Sequence, residues 1–380
     1  MPPFGLVLPP RTRFGRAEVL AAVPEIVGFG RRIVLVHGRS PARAAPLIDA
    51  LHEAGALVSS LSCPNEPTLE ILTPALNTAR AQRPDSIVAI GGGAVLDLGK
   101  ALAALVPATD STPLDHLEVV GAGRPLPADP LPLVAIPTTA GTGAEATRNA
   151  VIGVPEHRRK VSLRDDRMMA RLAVIDPSLC DGTPRGVTLA SGLDAITQVI
   201  EPYLSARATP FTDALCRDAI PRGLGALATL MTGPDDPAAR DALSYVSYVS
   251  GIALTNAGLG AVHGLAGVLG GETGEAHGAI CGRLLPHVLL ANRAACAPGS
   301  QTVARIDRID AWCQAALGCD LAGLGDWAAA NGLPAPAALA GAGALMRIAE
   351  ASAISSSMKA NPVPLSPEAL ADVLSAAGWT

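Results

Sequence analysis

The chain has 380 residues, of which 49% are hydrophobic, 17% charged and 3% aromatic, and its formal net charge is −5. A chain of this length exposes more apolar surface than it can leave in water, so one large or two moderate cores are expected; disorder, a collagen repeat and a disulfide-stapled miniprotein are excluded. The mildly acidic balance argues against a nucleic-acid partner, which calls for a concentrated basic face.

The opening MPPFGLVLPPRTRFGR has four prolines and no basic-then-apolar order, so no signal peptide is expected. From about residue 30 to 180, short β-branched runs alternate with helical segments. Residues 33–36 read as a strand and 42–54 as a helix. Residues 86–90 (SIVAI) form a second strand that runs into Gly91-Gly92-Gly93. Residues 133–136 (LVAI) form a third, followed by Pro137-Thr138-Thr139, and residues 173–175 a fourth, closed by Asp176-Pro177. Continuous apolar strands separated by helices predict a parallel sheet covered on both faces. After Pro184 strand-like runs nearly vanish, and Ala-, Leu- and Gly-rich segments of helical length predict an all-helical second domain. The expected division is an α/β domain over 1–181 and a helical domain over 182–380.

Seven scattered cysteines without a C-x-x-C pair predict reduced thiols in a cytoplasmic protein. Two uncharged stretches, 243–271 and 327–346, reach the roughly 20 residues that span a bilayer. Their Ser, Tyr, Asn, His and Pro content suits helices buried inside a helical domain instead, so no membrane partner is expected.

Two loops follow strands in the first half. In residues 91–100 (GGGAVLDLGK), three glycines let backbone N–H groups approach a ligand, and the helix N-terminus behind them favours a phosphate. A tight strand-to-helix turn without ligand explains the same triplet, which is neither a Walker motif nor G-x-G-x-x-G. Residues 137–145 (PTTAGTGAE) place hydroxyls and glycines at the end of another strand, where α/β folds bind ligands. Together the two loops point to a dinucleotide site. In the second half, Asp194 and Gln198 lie four apart on one helical face, and His263 and His277 sit in apolar, glycine-rich sequence. Taken singly, such a histidine is more often a hydrogen-bonded core residue than a ligand, and Asp194 could be a helix cap or a core hydrogen-bond partner. Converging from different helices, they would suit Fe(II) or Zn(II).

In this order the motifs resemble the iron-containing (group III) alcohol dehydrogenase family over nearly the whole chain. Residues 91–100 are similar to its G-G-G-S-x-x-D-x-x-K, with Ala94 where Ser is usual, and residues 137–145 to its P-T-T-A-G-T-G-S-E. Asp176-Pro177, the Asp194 helix and the two histidine segments follow in family order. The resemblance implies a Rossmann-like N-terminal domain, a helical C-terminal domain, a cleft between them, and a homodimer. It places Gly91, Gly92, Gly93 and Asp97 at a nicotinamide dinucleotide, helped by Thr138, Thr139 and Thr142, with Lys160 near the nicotinamide ribose. Asp194, His263 and His277 would hold a metal acting as Lewis acid on the substrate oxygen.

Two positions depart from the pattern. Gln198 stands where the family has a second metal-binding histidine, and Gly267 where it often has a histidine near the nicotinamide. Three readings follow: a metal held by Asp194, His263 and His277 with Gln198 or water; catalysis without metal, His263 or His277 hydrogen-bonding the substrate oxygen; or a degenerate protein. After the first strand, Gly38, Arg39 and Ser40 offer no acidic partner for a ribose 2′-hydroxyl. Arg39 and Ser40 suit a 2′-phosphate, which tilts the expectation to NADP over NAD.

The expected activity is NAD(P)-dependent interconversion of a small alcohol and its aldehyde or ketone. One alternative is a maleylacetate-reductase-like enzyme reducing an unsaturated or keto acid: residues 361–366 (NPVPLS) resemble that subgroup, and Arg148 is a candidate carboxylate partner. The others are a dehydroquinate-synthase-like lyase, for which several basic residues and a metal histidine are missing, and a nucleotide-binding protein without turnover.

Overall fold

The computed structural model describes residues 3–157 and 159–380. The chain forms two compact units, one of Val7–Thr139 with Gly143–Asp181, the other of Met1–Leu6, Ala140–Thr142 and Gly182–Thr380. Strands are numbered in chain order, as are helices of nine residues or more.

The first unit is built on a six-stranded parallel sheet, formed by β1 (Thr12–Phe14), β2 (Arg32–His37), β3 (Leu57–Ser62), β4 (Ser86–Gly91), β5 (Leu133–Pro137) and β8 (Leu172–Ile175) in the order β1-β8-β5-β4-β2-β3. Alternation explains why the central strands are apolar throughout. Ile33 and Leu35 of β2 and Val88 and Ile90 of β4 enter one core, while Val34, Val36, Ile87 and Ala89 enter another on the opposite face. Helices α1 (Ala45–Glu53), α2 (Leu69–Gln82) and α3 (Gly93–Leu105) connect the early strands. Gly99 lets α3 lie close on the sheet, because a Cβ there would stand 2.5 Å from the Ala89 Cβ.

Sequence periodicity predicts four of these six strands. β1 is a three-residue edge strand, and the edge strand β3 (LVSSLS) alternates half-buried and exposed positions, so neither carries a continuous apolar run. An antiparallel hairpin of β6 (Asn149–Val154) and β7 (Arg159–Arg164) is a further addition, formed outside the main sheet.

The second unit is helical: α4 (Arg185–Leu204), α5 (Pro210–Thr232), α6 (Pro237–Ala257), α7 (Ala261–Thr273), α8 (His277–Ala295), α9 (Gln301–Leu317), α10 (Ala344–Ala353) and α11 (Pro367–Ala376). Helix α4 is buried without interruption from Gly192 to Leu204, which marks it as the central helix. Among the described residues no single helix is long and apolar enough to cross a membrane; the bent pair α6 and α7 passes only by joint length and composition, with 104° between its helices. Many side chains of both join one core with those of α4, α5 and α8. The stretch 327–346 is not one helix. Helix stops at Ala330 and resumes at Ala344, because Pro334 and Pro336 interrupt it and Gly332, Gly341 and Gly343 take positive φ.

Candidate active site

In the parallel sheet, β3 lies on one side of β2 and β4 on the other, so the connections leaving β2 and β4 part in opposite directions. Such a switch point is where open α/β sheets bind ligands, at the carboxyl ends of the strands. The loop of Gly38, Arg39 and Ser40 leaves β2 there, and Gly91, Gly92 and Gly93 leave β4. Gly91 is packed so that a Cβ would meet Val95 at 2.5 Å. Gly92 is the N-cap of α3 and supplies no side-chain hydrogen bond, which suits amides directed at an anion. Thr138 follows β5, its amide bonded to Gly91 O at 2.9 Å. Thr139 stands beside Gly92, its Oγ1 3.3 Å from where a Cβ would be. Arg39 is exposed and donates to Asn65 Oδ1 at 3.1 Å, while Ser40 Oγ accepts from the Ala42 amide at 3.3 Å.

Behind the glycine loop Asp97 joins a buried polar group whose other charged members, Lys100 and Glu145, sequence reasoning did not assign. Lys100 donates to Thr147 Oγ1 at 2.5 Å and Asn149 O at 2.8 Å, tying α3 to the start of the hairpin, with Asp97 at 3.9 Å. Burial pushes the ammonium down to about 8, against the pull of Asp97 and Glu145. It pushes Asp97 up to about 6 and Glu145 up to about 7, with Lys100 opposing both. Among the described residues, neither Glu145 carboxyl oxygen has a hydrogen-bond donor. Lys160 projects from β7 and pairs with Glu66 at 2.5 Å. Thr142 is grouped with the helical unit rather than with Thr138 and Thr139.

The second constellation lies wholly within the helical unit. Asp194, Gln198 and Glu201 fall at i, i+4 and i+7 on α4, and therefore on one face. His263 stands in the first turn of α7, His277 opens α8, and Cys281 follows it by one turn. Close approach of α8 to α4 depends on glycine: at Gly278 a Cβ would stand 2.1 Å from Ala190 O, and at Gly282 2.5 Å from Leu193 Cδ1. As a result one ligand atom from each of Asp194, His263, His277 and Cys281 falls within 4.8 Å of the others. His263 Nε2 is 3.4 Å and His277 Nε2 3.9 Å from Asp194 Oδ1. Cys281 Sγ is 3.8 Å from His263 Nε2 and 3.6 Å from His277 Nε2.

The other ring nitrogen of His263 is engaged. Nδ1 lies 2.6 Å from Glu201 Oε2, and since a carboxylate only accepts, Nδ1 carries a proton and Nε2 is the ring nitrogen that faces the cluster. Glu201 Oε1 accepts from the Val262 amide at 2.7 Å. Gln198 is buried beside Asp194, and its amide oxygen accepts from the Ser250 hydroxyl at 3.2 Å.

The electrostatics suit a cation. Asp194 is 2% exposed, and its Oδ1, which faces the two histidines, has no hydrogen-bond donor among the described residues. Burial pushes the Asp194 carboxyl up, but His263, His277 and Gln198 outweigh it and hold it below the ordinary range. Burial also disfavours a charged His263, yet Cys281, Glu201 and Asp194 raise it well above the ordinary value. His277 is raised chiefly by Cys281. Net negative surroundings, two imidazoles and an orphaned carboxylate oxygen form a donor set for a transition-metal dication.

The sequence reading singled out Asp194, His263 and His277 but missed Cys281 and Glu201. Signals for both were present: H-x-x-x-C puts His277 and Cys281 on one helical face, and Glu201 repeats the Asp194 face two turns on. At Gly267 a Cβ would meet nothing within 4 Å. Asn361, from the segment resembling maleylacetate reductases, accepts from the Ala261 amide at the start of α7 at 3.0 Å and donates to Asn292 Oδ1 at 2.7 Å. Arg148 pairs with Asp166. Of the remaining histidines, His116 bonds Arg124 O at 2.9 Å and Ser111 Oγ at 2.8 Å.

Comparisons with known proteins agree with this architecture. The profile of the iron-containing alcohol dehydrogenase family matches residues 9–177, and that of its C-terminal region matches residues 188–329. Long-chain-alcohol dehydrogenase 1 of Geobacillus thermodenitrificans is 34% identical over 296 residues, covering 77% of this chain and 74% of that protein. Lactaldehyde reductase of Escherichia coli is 35% identical over 286 residues, covering 73% of each. A solved iron-containing alcohol dehydrogenase from Thermococcus thioreducens superposes with a TM-score of 0.85 at 27% identity over 99% of both chains. The chain belongs to the iron-containing alcohol dehydrogenase family, oxidoreductases acting on CH–OH groups.

Proposed function

We propose that the protein is an NAD(P)-dependent alcohol dehydrogenase and aldehyde reductase working on small alcohols, with a divalent cation held by Asp194, His263 and His277. The observation that carries this reading is the buried, unpartnered Asp194 Oδ1 facing two imidazole nitrogens. When bound, the cation supplies Lewis acidity toward a carbonyl oxygen. Glu201 fixes the His263 tautomer and ring orientation. The loops at the β2–β4 switch point receive the dinucleotide: Gly91, Gly92 and Gly93 admit the pyrophosphate to the α3 amides, and Thr138 and Thr139 border it, as Thr142 does in the family reading. Asp97 lines the site with the glycines, and Lys160 stands near the nicotinamide ribose. Gly38 allows close passage, and Arg39 with Ser40 suits a 2′-phosphate, favouring NADPH. Hydride passes between the nicotinamide and the carbinol carbon while the enzyme orients both.

Two features that favoured a keto-acid substrate have other partners: Asn361 serves the start of α7 and Arg148 pairs with Asp166. Lactaldehyde and short aldehydes are therefore the substrates to test first. The experiment is oxidation of NADPH and NADH against such a panel by the wild type and by His277→Ala. Turnover, with NADPH preferred, and a loss in the variant of at least about 100-fold in kcat are expected. Equal turnover by His277→Ala would refute the assignment.

A further inference from the structure

We propose that the Cys281 thiolate, and not the Gln198 amide, completes the cation site with Asp194, His263 and His277, and that its sulfur turns the site toward Zn(II) over Fe(II). The inference rests on the reading of that cluster as a cation site.

The distances carry it. A tetrahedral ion with a metal–sulfur bond of about 2.3 Å and a metal–nitrogen bond of about 2.05 Å spans a sulfur–nitrogen edge of about 3.5 Å. Cys281 Sγ lies 3.6 Å from His277 Nε2 and 3.8 Å from His263 Nε2. The corresponding nitrogen–oxygen edge is about 3.4 Å; His263 Nε2 to Asp194 Oδ1 is 3.4 Å, and His277 Nε2 to the same oxygen is longer, at 3.9 Å. The sulfur thus occupies a vertex of the polyhedron that the other three donors begin. The amide oxygen of Gln198, the atom with which that residue would ligate, is instead directed at Ser250 Oγ of α6 at 3.2 Å, a hydroxyl that also reaches Ser247 O at 2.7 Å.

Surroundings and chemistry agree. Cys281 is fully buried, and the polar atoms at its sulfur are the two imidazole nitrogens. Cys63, also buried, has its sulfur directed at the backbone carbonyls of Asn65 and Ala94, the ordinary arrangement for a structural thiol. On ligation the thiol releases its proton as the sulfur–metal bond forms, so cation uptake liberates acid. A set of one thiolate, two imidazoles and one carboxylate is softer than one in which an amide oxygen replaces sulfur, and softness favours Zn(II). The His277 side chain is 36% exposed, whereas Cys281 is fully buried.

The test uses the full-length protein loaded with Co(II), which reports sulfur ligation by a near-ultraviolet charge-transfer band, and with Zn(II) for X-ray absorption. Expected are one Co(II) per chain with the charge-transfer band, and a zinc–sulfur shell at about 2.3 Å. Cys281→Ser should abolish the band and weaken Zn(II) binding by more than the roughly 10–100-fold that loss of an outer-shell partner costs. Gln198→Ala should retain both band and metal. Stoichiometric Co(II) in the wild type without the band or the sulfur shell would overturn the role of Cys281 and leave the cation reading standing. Failure to take up either metal would overturn both. The wild-type spectra decide the matter even if a variant misfolds.

Discussion

His263 Nδ1 lies 2.6 Å from Glu201 Oε2, and this one hydrogen bond turns Nε2 of the same ring toward Asp194 and Cys281. Glu201 is buried, and its other oxygen accepts from the Val262 amide at the start of α7. One carboxylate therefore fixes both the backbone and the side chain at position 263. Replacing it should loosen the cation without removing a ligand. Glu201→Gln is expected to weaken Zn(II) affinity by about 10–100-fold, read by competition with a chromophoric chelator. Glu201→Ala should also lower the stability of the apoprotein by about 1–3 kcal/mol, because the Val262 amide is left buried and unpaired. Unchanged affinity in both variants would show that Glu201 has no bearing on the site.

Gly278 makes a second, steric prediction. A Cβ at this position would stand 2.1 Å from Ala190 O on α4, an atom that cannot move without disturbing the helix carrying Asp194. Gly278→Ala should therefore push α8 away from α4 and separate His277 and Cys281 from Asp194. Overpacking of this kind costs about 1–3 kcal/mol. The expected result is a lower Tm together with loss of stoichiometric metal, measured by calorimetry and elemental analysis. A variant that holds metal like the wild type would mean that the helices adjust without opening the cluster.

Those two examples show which parts of the molecule were legible beforehand. Residues 86–93 and 133–139 could be read directly, because a strand buried on both faces must be apolar at every position and its loop must be glycine- or hydroxyl-rich. Asp194, His263 and His277 stood out as polar residues in apolar helices. β3 and the hairpin escaped notice because half-exposed strands mix Ser, Arg and Lys with their apolar residues. Cys281 escaped because a cysteine in an apolar helix has the composition of a core residue; only the approach of α7 and α4 to α8 gives it two imidazole neighbours. Glu201 was overlooked for a related reason, since its partner lies 62 residues away. The exchange at position 198 was visible in sequence, and the H-x-x-x-C spacing put Cys281 on the His277 face, but the spacing does not show the second imidazole brought to the sulfur by α7.

The buried group behind the glycine loop predicts a pH dependence of stability. Burial raises Glu145 to about 7 from its ordinary 4.5. A raised carboxyl binds its proton more tightly in the folded state, so its contribution to stability is complete below pH 4.5 and is lost as the pH rises through about 7. Lys100, depressed to about 8, contributes in the opposite sense: its share is present above about 10.5 and lost as the pH falls through 8. Between pH 5 and 7 Asp97, raised to about 6, contributes in the same sense as Glu145, and comparison with Glu145→Gln isolates the Glu145 share. Denaturation across that interval should show the wild type losing on the order of 1–3 kcal/mol relative to Glu145→Gln. Parallel curves for the two proteins would show that Glu145 does not titrate there.

A cation held by Asp194, His263 and His277 should be required for nicotinamide-dependent reduction of an aldehyde. Elemental analysis of the protein purified without chelator, paired with NADPH oxidation before chelation, after it and after metal is restored, tests this most directly. One transition-metal ion per chain is expected, with loss of turnover when it is removed and recovery when Zn(II) is returned. Undiminished turnover by protein shown to be free of metal would contradict it.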